Sequence, residues 1–314
     1  MEFRILRYIA PLAAVVLLLN ACTKEVHIDI PGFEEKLVID GHIETNQPPI
    51  VLISKSKEVY APTDIDAFLS GFISDAVVTM SDGTNSVQLD VICSGNLPPG
   101  TEEAAAAMLG IPADQLANYN ICAYTTLDPN FWGEVGKSYT LTVSYEGQTY
   151  TATTLISQPT PLNKVFWKPE SGLTDHGYSW AELSDPPNQF DAYFWEVKRL
   201  NGPDSDPNFA PTYSPATDDE FFDGLTFEFW YENPFGDEME DSVKWMYALG
   251  DSVVIKISKI DRDVYEFYEK KYMQLQTAGN PFASPTSIPS NFDNGALGVW
   301  AGFSPSFDTL ICQP

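Results

Sequence analysis

The sequence predicts a mainly β fold, with an N-terminal β-sandwich over residues 36–157 and a second β-rich domain over 162–314 that carries one docked helix at 261–278. Three observations predict it. Apolar residues recur at every second position in several short stretches, the period of a half-buried strand. Turn residues separate those stretches at short intervals, as in hairpins. One stretch of useful length, 261–278, instead places apolar residues at helical spacing.

The elements follow in order. Leu37, Ile39, Gly41 and Ile43 alternate with Val38, Asp40, His42 and Glu44, and Ile50 to Ile53 is a short apolar run. Ala76–Met80 and Ser86–Ile92 flank the turn sequence Ser81-Asp82-Gly83-Thr84-Asn85. Tyr139, Leu141, Val143 and Tyr145 alternate with polar residues up to Glu146-Gly147, and Gln148–Leu155 returns, so this pair is a hairpin with a tight glycine turn. Between Cys93 and Cys122 the alternation stops. Thr101-Glu102-Glu103 followed by four alanines starts a helix with acid in its first turn, and Gly110-Ile111-Pro112 ends it. The segment 93–122 therefore reads as a helical insertion.

Ser157–Pro161, with two prolines, marks the domain boundary. Aromatic strands follow at Val165–Trp167, Tyr178–Trp180, Ala192–Leu200, Leu225–Tyr231 and Val243–Leu249, and Asn201–Asp219 reads as a long loop. Asp251–Ile260 alternates. Val264, Phe267, Tyr268, Tyr272 and Leu275 give the helix its apolar face, with Asp263 and Glu266 as a capping box and Gly279 with Pro281 as its stop. Gly295–Gly302 is a late strand.

The amino terminus reads as a signal. Arg4 and Arg7 precede an apolar run from Ala10 to Leu19, too short for a spanning helix. Leu19-Asn20-Ala21-Cys22 makes it a lipoprotein signal: residues 1–21 are removed, Cys22 is acylated, and 22–35 form a tether. The formal net charge is -27, from 44 acidic and 17 basic residues, which argues against nucleic acid and against electrostatic attachment to anionic headgroups. Membrane attachment therefore rests on the lipid. With Cys22 assigned, Cys93, Cys122 and Cys312 remain, and at most one bridge forms among them. Cys93 and Cys122 are the expected pair, because they flank the insertion; three reduced thiols are the alternative.

No catalytic constellation emerges. The histidines are His27, His42 and His176, and no Gly-x-Ser-x-Gly elbow or His-Glu-x-x-His helix occurs. His176 beside Asp175 is the one base-and-orienter pair in the sequence. Asp204-Ser205-Asp206-Pro207-Asn208 begins like a calcium loop, but Phe209 stands at the glycine position and Pro215 at the bidentate glutamate position. Asp218, Asp219, Glu220 and Asp223 read as a solvated turn before the next strand, with a calcium or cationic-partner site as the alternative; no metal site and no cofactor is expected. Most tryptophans lie in strand patterns and read as packing; Trp132, in a loop after Pro129 and Asn130, is the candidate for stacking on a ligand. Phe221, Phe222 and Phe282 are candidate partner contacts, or else anchors of their loops to the core.

Several segments occur in a recognisable order: Leu37-Val38-Ile39-Asp40-Gly41-His42-Ile43, Gly136–Leu141, Gly147–Ala152, Asp218–Gly224, Asn280-Pro281-Phe282 and Asn294–Gly298. Together with the cysteine signal they are similar to the Bacteroidota lipoprotein family called domain of unknown function 4249, over essentially the whole mature chain. The first domain also resembles small immunoglobulin-like, carboxypeptidase-regulatory-like β-sandwich modules. The resemblance implies an outer-membrane lipoprotein beside a TonB-dependent receptor, with no established reaction. The expectation is a non-enzymatic accessory lipoprotein in nutrient uptake, on the cell surface rather than the periplasmic face. The rivals are an independent surface binder of glycan or peptide, and a hydrolase.

Overall fold

The computed structural model describes residues 34–57, 71–97, 100–109, 113–116, 121–201, 208–235, 242–278, 280 and 287–313. Its elements belong to one compact unit, Glu35–Ser56 with Thr63–Pro314. The fold is mainly β: three sheets and one long helix.

The first eight strands are β1 Leu37–Glu44, β2 Ile50–Lys55, β3 Val77–Ser81, β4 Ser86–Gln88, β5 Asp90–Cys93, β6 Cys122–Thr125, β7 Ser138–Tyr145 and β8 Gln148–Leu155. Eight more follow: β9 Leu162–Pro169, β10 His176–Ser184, β11 Ala192–Arg199, β12 Ala210–Asp218, β13 Thr226–Tyr231, β14 Tyr247–Ala248, β15 Ser252–Ile260 and β16 Leu297–Ile311. Two short helices, α1 Glu102–Leu109 and α2 Ala113–Leu116, lie between β5 and β6; the long helix is α3, Arg262–Gln276.

One eight-stranded sheet runs β12-β11-β15-β16-β1-β2-β6-β5. Its two ends in sequence meet where β1 pairs in parallel with β16, from Val38↔Leu297 to Glu44↔Phe303. Residues 157–161 lie between β8 and β9, which belong to different small sheets, and the large sheet takes strands from both sides of them.

A single face of the large sheet is covered twice. Ile39, Val51, Ile53 and Trp300 pack against Met80 and Leu141 of the sheet β4-β3-β7-β8. Tyr193, Trp195 and Ile255 pack against Trp167, Ala181 and Tyr231 of the sheet built on β9, β10, β13 and β14. Gly41 explains one invitation in the first layer: a Cβ there would lie 2.8 Å from the Trp300 ring, whose Nε1 donates to the Tyr139 carbonyl at 2.8 Å. The opposite face takes α3, whose Val264 and Phe267 pack against Phe194, Val299, Ala301 and Phe303.

The structure departs from the sequence pattern at several points; Val243–Leu249, expected as one strand, is a turn followed by the two-residue β14. Residues 86–92 are not one strand: the chain leaves one sheet after Gln88 and enters the other at Asp90, with buried Leu89 as the corner. The supposed loop 201–219 contains β12, an edge strand, where Pro211 and Pro215 are tolerated because one side lacks a pairing partner. The last strand continues to Ile311, through Pro305, because β1 ends at Glu44 and leaves that side of β16 unpaired from Ser304 onward. The cap of α3 is Asp261, whose carboxylate accepts from Val264 N at 3.0 Å, not the pair Asp263 and Glu266. The other Asp261 oxygen accepts from Thr154 Oγ1 and Leu155 N, tying the helix start to β8.

Candidate functional site

The strand alternation of β10 and β13 sorts their aromatics by face. Ser179, Ala181 and Leu183 turn inward, so Tyr178 and Trp180 turn outward. Trp180 pairs with Phe166 on one side and Trp230 on the other, in a single cross-strand row. The planes of Phe166 and Trp180 are nearly parallel, inclined by 20°, and Lys168 Nζ lies 3.9 Å from the Trp180 ring centroid. Lys164 and Lys168 both reach Glu228, at 2.9 and 3.3 Å.

Beyond Trp230 the surface folds into a cleft of about 500 Å³, lined by Tyr178, Tyr213, Ser214, Trp230, Glu232 and Trp245. Trp230 and Tyr213 are each about half exposed, at 51% and 53%. Tyr178 lies 4.6 Å from Trp230 with planes 52° apart, and Tyr213 lies 6.2 Å from Trp245 with planes 57° apart. A smaller cavity of about 280 Å³ shares Ser214, Trp230 and Glu232 with the cleft and reaches inward to Trp195, Phe222 and Phe229. Both open between β12 and β13, the edge strands of two different sheets.

Hydrogen bonds fix the cleft's far wall. Asn233, fully buried, donates its backbone N–H to the Trp245 carbonyl at 2.9 Å and its side-chain Nδ2 to the Met246 carbonyl at 3.0 Å. Its Oδ1 accepts from Phe235 N. The Tyr247 hydroxyl donates to the Glu232 carbonyl, and one Glu232 carboxylate oxygen accepts from Tyr213 N at 2.6 Å. Trp245 itself has φ of 71°, a conformation that is strained for a bulky residue and is held here by these neighbours.

Two polar groups lie elsewhere. Lys256 sits between Glu44 at 2.7 Å and Glu196 at 2.9 Å, next to the edge of His42. Burial works against the Lys256 charge, but Glu196 and Glu44 outweigh it and hold the ammonium above its ordinary pKa. Burial pulls the His42 imidazole below its ordinary value, against the raising influence of Asp40 and Glu44. The second group is Asp185, Asp191 and Asp219, three buried carboxylates with oxygens within 4.8 Å of one another. Tyr193 Oη and Gly224 N donate to Asp185, Gln189 and Lys259 to Asp191, and Asp191 N to Asp219. Burial raises the Asp219 carboxyl above its ordinary value. The acidic turn is therefore not uniformly solvated: Asp219 belongs to this internal group, which the sequence pattern did not reveal because its members come from two separate connections, Asp185 and Asp191 from the one between β10 and β11 and Asp219 from the turn after β12.

The residues singled out from sequence scatter. Cys93 and Cys122 face each other across β5 and β6 and are joined by a disulfide, while Cys312 is a buried free thiol. Trp132 is half-buried, and its indole N–H is shut away from solvent with no partner among the described residues. Phe221 is 87% exposed. Phe222 is an anchor instead, packed on the core 4.2 Å from the Phe227 ring. His176 Nδ1 lies 3.2 Å from Asp175, and among the described residues no serine, threonine or cysteine hydrogen-bonds to its ring. Cys22 and Phe282 lie outside the described residues, as does the Asp204 segment. Among the described residues no helix is long and apolar enough to cross a membrane. Sequence reasoning missed Tyr178, Tyr213, Trp230 and Trp245; the outward positions of Tyr178 and Trp230 in the strand alternation were the available signal.

No curated protein and no solved structure matches the chain. One family's sequence pattern matches residues 23–306, nearly the full length, and on that extent the chain belongs to the family described as Domain of unknown function (DUF4249).

Proposed function

We propose that this chain is a non-enzymatic binding lipoprotein of the outer membrane, held by Cys22 on the cell surface, that gathers a ligand in the cleft between β12 and β13 and works beside a TonB-dependent receptor in uptake. One observation supports it above the rest: four aromatic side chains and a carboxylate converge on a cleft of about 500 Å³ whose walls are fixed by buried hydrogen bonds. That size and lining suit a small-molecule site. Among the described residues, the groups around Lys256 and Asp191 are satisfied by their own ion pairs and hydrogen bonds, which favours a structural over a hydrolytic role for them. Exposed Phe221 is the contact proposed for the receptor.

The test is photocrosslinking in intact cells, with a photoreactive phenylalanine analogue at position 221 and native expression. Capture of an outer-membrane receptor supports the partnership. A clean surface-exposed lipoprotein with no captured receptor leaves the rival form, an independent surface binder that uses the same cleft.

A further inference from the structure

We propose that the ligand of the cleft is a small organic cation, an N-alkylated ammonium compound; this rests on the reading of the cleft as the binding site.

Ring orientation is the first reason. A sugar stacks best on an open ring face, and Trp180, whose plane is nearly parallel to that of Phe166, already carries the Lys168 ammonium at 3.9 Å. The rings that line the open cleft are inclined at 52° and 57°, so they form walls around a volume rather than a floor. Walls of π-faces are the arrangement that surrounds a quaternary or tertiary ammonium, whose charge is spread over its carbon shell and is attracted by each ring's negative face.

Charge is the second reason. Among the described residues that line the cleft, Glu232 alone carries a formal charge. Its carboxylate is positioned by the Tyr213 N–H at 2.6 Å, and its strand neighbour Tyr231 is buried, so Glu232 is held rather than left to swing into solvent. A carboxylate beside aromatic walls favours a cation and disfavours a carboxylate or phosphate ligand. The whole chain, at a net charge of -27, biases the approach in the same direction.

Preorganisation is the third. The strained Trp245 is pinned by Asn233, so a ligand need not order that wall on binding.

The experiment is calorimetric titration of the mature protein with choline, with its neutral isostere 3,3-dimethylbutan-1-ol, and with maltotriose, each repeated on W230A and E232Q. The expected result is choline binding that the neutral isostere fails to match by roughly tenfold, and that W230A and E232Q each weaken by roughly tenfold. Trp230 is half exposed and E232Q keeps the acceptor for Tyr213, so both variants should fold, which their circular dichroism checks. Equal binding of choline and its isostere, or binding of maltotriose without choline, overturns the cation assignment and leaves the cleft as the site. Binding of any of the three that W230A does not change overturns the cleft reading as well. No binding by choline overturns the assignment.

Discussion

The backbone N–H of Asn233 donates to the carbonyl of Trp245 across 2.9 Å, and through that bond a fully buried asparagine holds a tryptophan in a left-handed conformation at the rim of the cleft. The asparagine side chain adds bonds to Met246 and Phe235, so one residue ties the end of β13 to the segment entering β14. N233A would orphan the Met246 carbonyl and the Phe235 N–H. The expected cost is about 2–4 kcal/mol in urea denaturation, from two unmet polar groups. A Trp245 fluorescence spectrum shifted towards that of a solvated indole should accompany it. Unchanged stability would contradict the role given to Asn233.

The Lys256 site should behave as a buried triad. K256M removes the cation and leaves Glu44 and Glu196 together, for an expected loss of about 3–5 kcal/mol. Adding E44Q and E196Q should return most of that loss, because no charge is then left unpaired. The pH dependence has a definite sign. The folded Lys256 pKa is raised, so its contribution is fully present below the unfolded value and is lost as pH rises through the folded one. Denaturation midpoints measured from pH 9 upward should therefore fall more steeply for wild type than for the triple variant.

Asp219 gives the opposite end of the pH scale. Burial raises its carboxyl, so the protonated form favours the fold: the contribution is present below the unfolded value of about 3.8 and is lost as pH rises through the higher folded value. D219N should thus be relatively more stable than wild type at pH 7 than at pH 4. Because Tyr193, Gly224, Gln189 and Lys259 already serve this group, calcium should leave the melting temperature unchanged. A rise with calcium that D219N abolishes would assign the group to metal binding.

The Cys93–Cys122 disulfide spans a sequence separation of 29 and closes the helical insertion at its base. Removing it with C93S/C122S should cost about 3.5 kcal/mol in the chain-entropy account. Cys312 is fully buried and its thiol is pushed up to about 12, so native protein should resist alkylation there until it unfolds.

How far the fold was legible follows from which physics acts locally. Alternation identified Leu37–Glu44 and the Tyr139–Leu155 hairpin, where each strand buries one face and Gly147, at φ of 78°, makes the turn. The helix was legible because Val264, Phe267, Tyr268 and Tyr272 recur at helical spacing and pack on the sheet, although Leu275, expected on the same face, is exposed. Pro211, Pro215 and Pro305 hid strand segments, since whether a proline is tolerated depends on which neighbour is missing, a tertiary fact. The parallel β1–β16 pairing was invisible for the same reason: nothing local marks partners some 260 residues apart. The site failed more completely. Trp132 looked exposed by its loop sequence, yet the chain around it closes over the indole nitrogen. The cleft was missed because Tyr178, Trp230 and Trp245 read singly as strand aromatics and Tyr213 lay in a supposed loop; they become a site only when two sheet edges stand beside each other.

The central claim is that ligand enters the cleft between β12 and β13. Its most direct test is fluorine NMR of protein labelled with 5-fluorotryptophan, its seven resonances assigned by single substitutions to phenylalanine. Choline, maltotriose and a mixed dipeptide pool are titrated in turn. The account predicts that at least one shifts the Trp230 and Trp245 resonances while buried Trp300 stays still, and that Y213A abolishes the shift. Shifts confined to Trp132 or to other tryptophans, or no shift with any of the three, would contradict it.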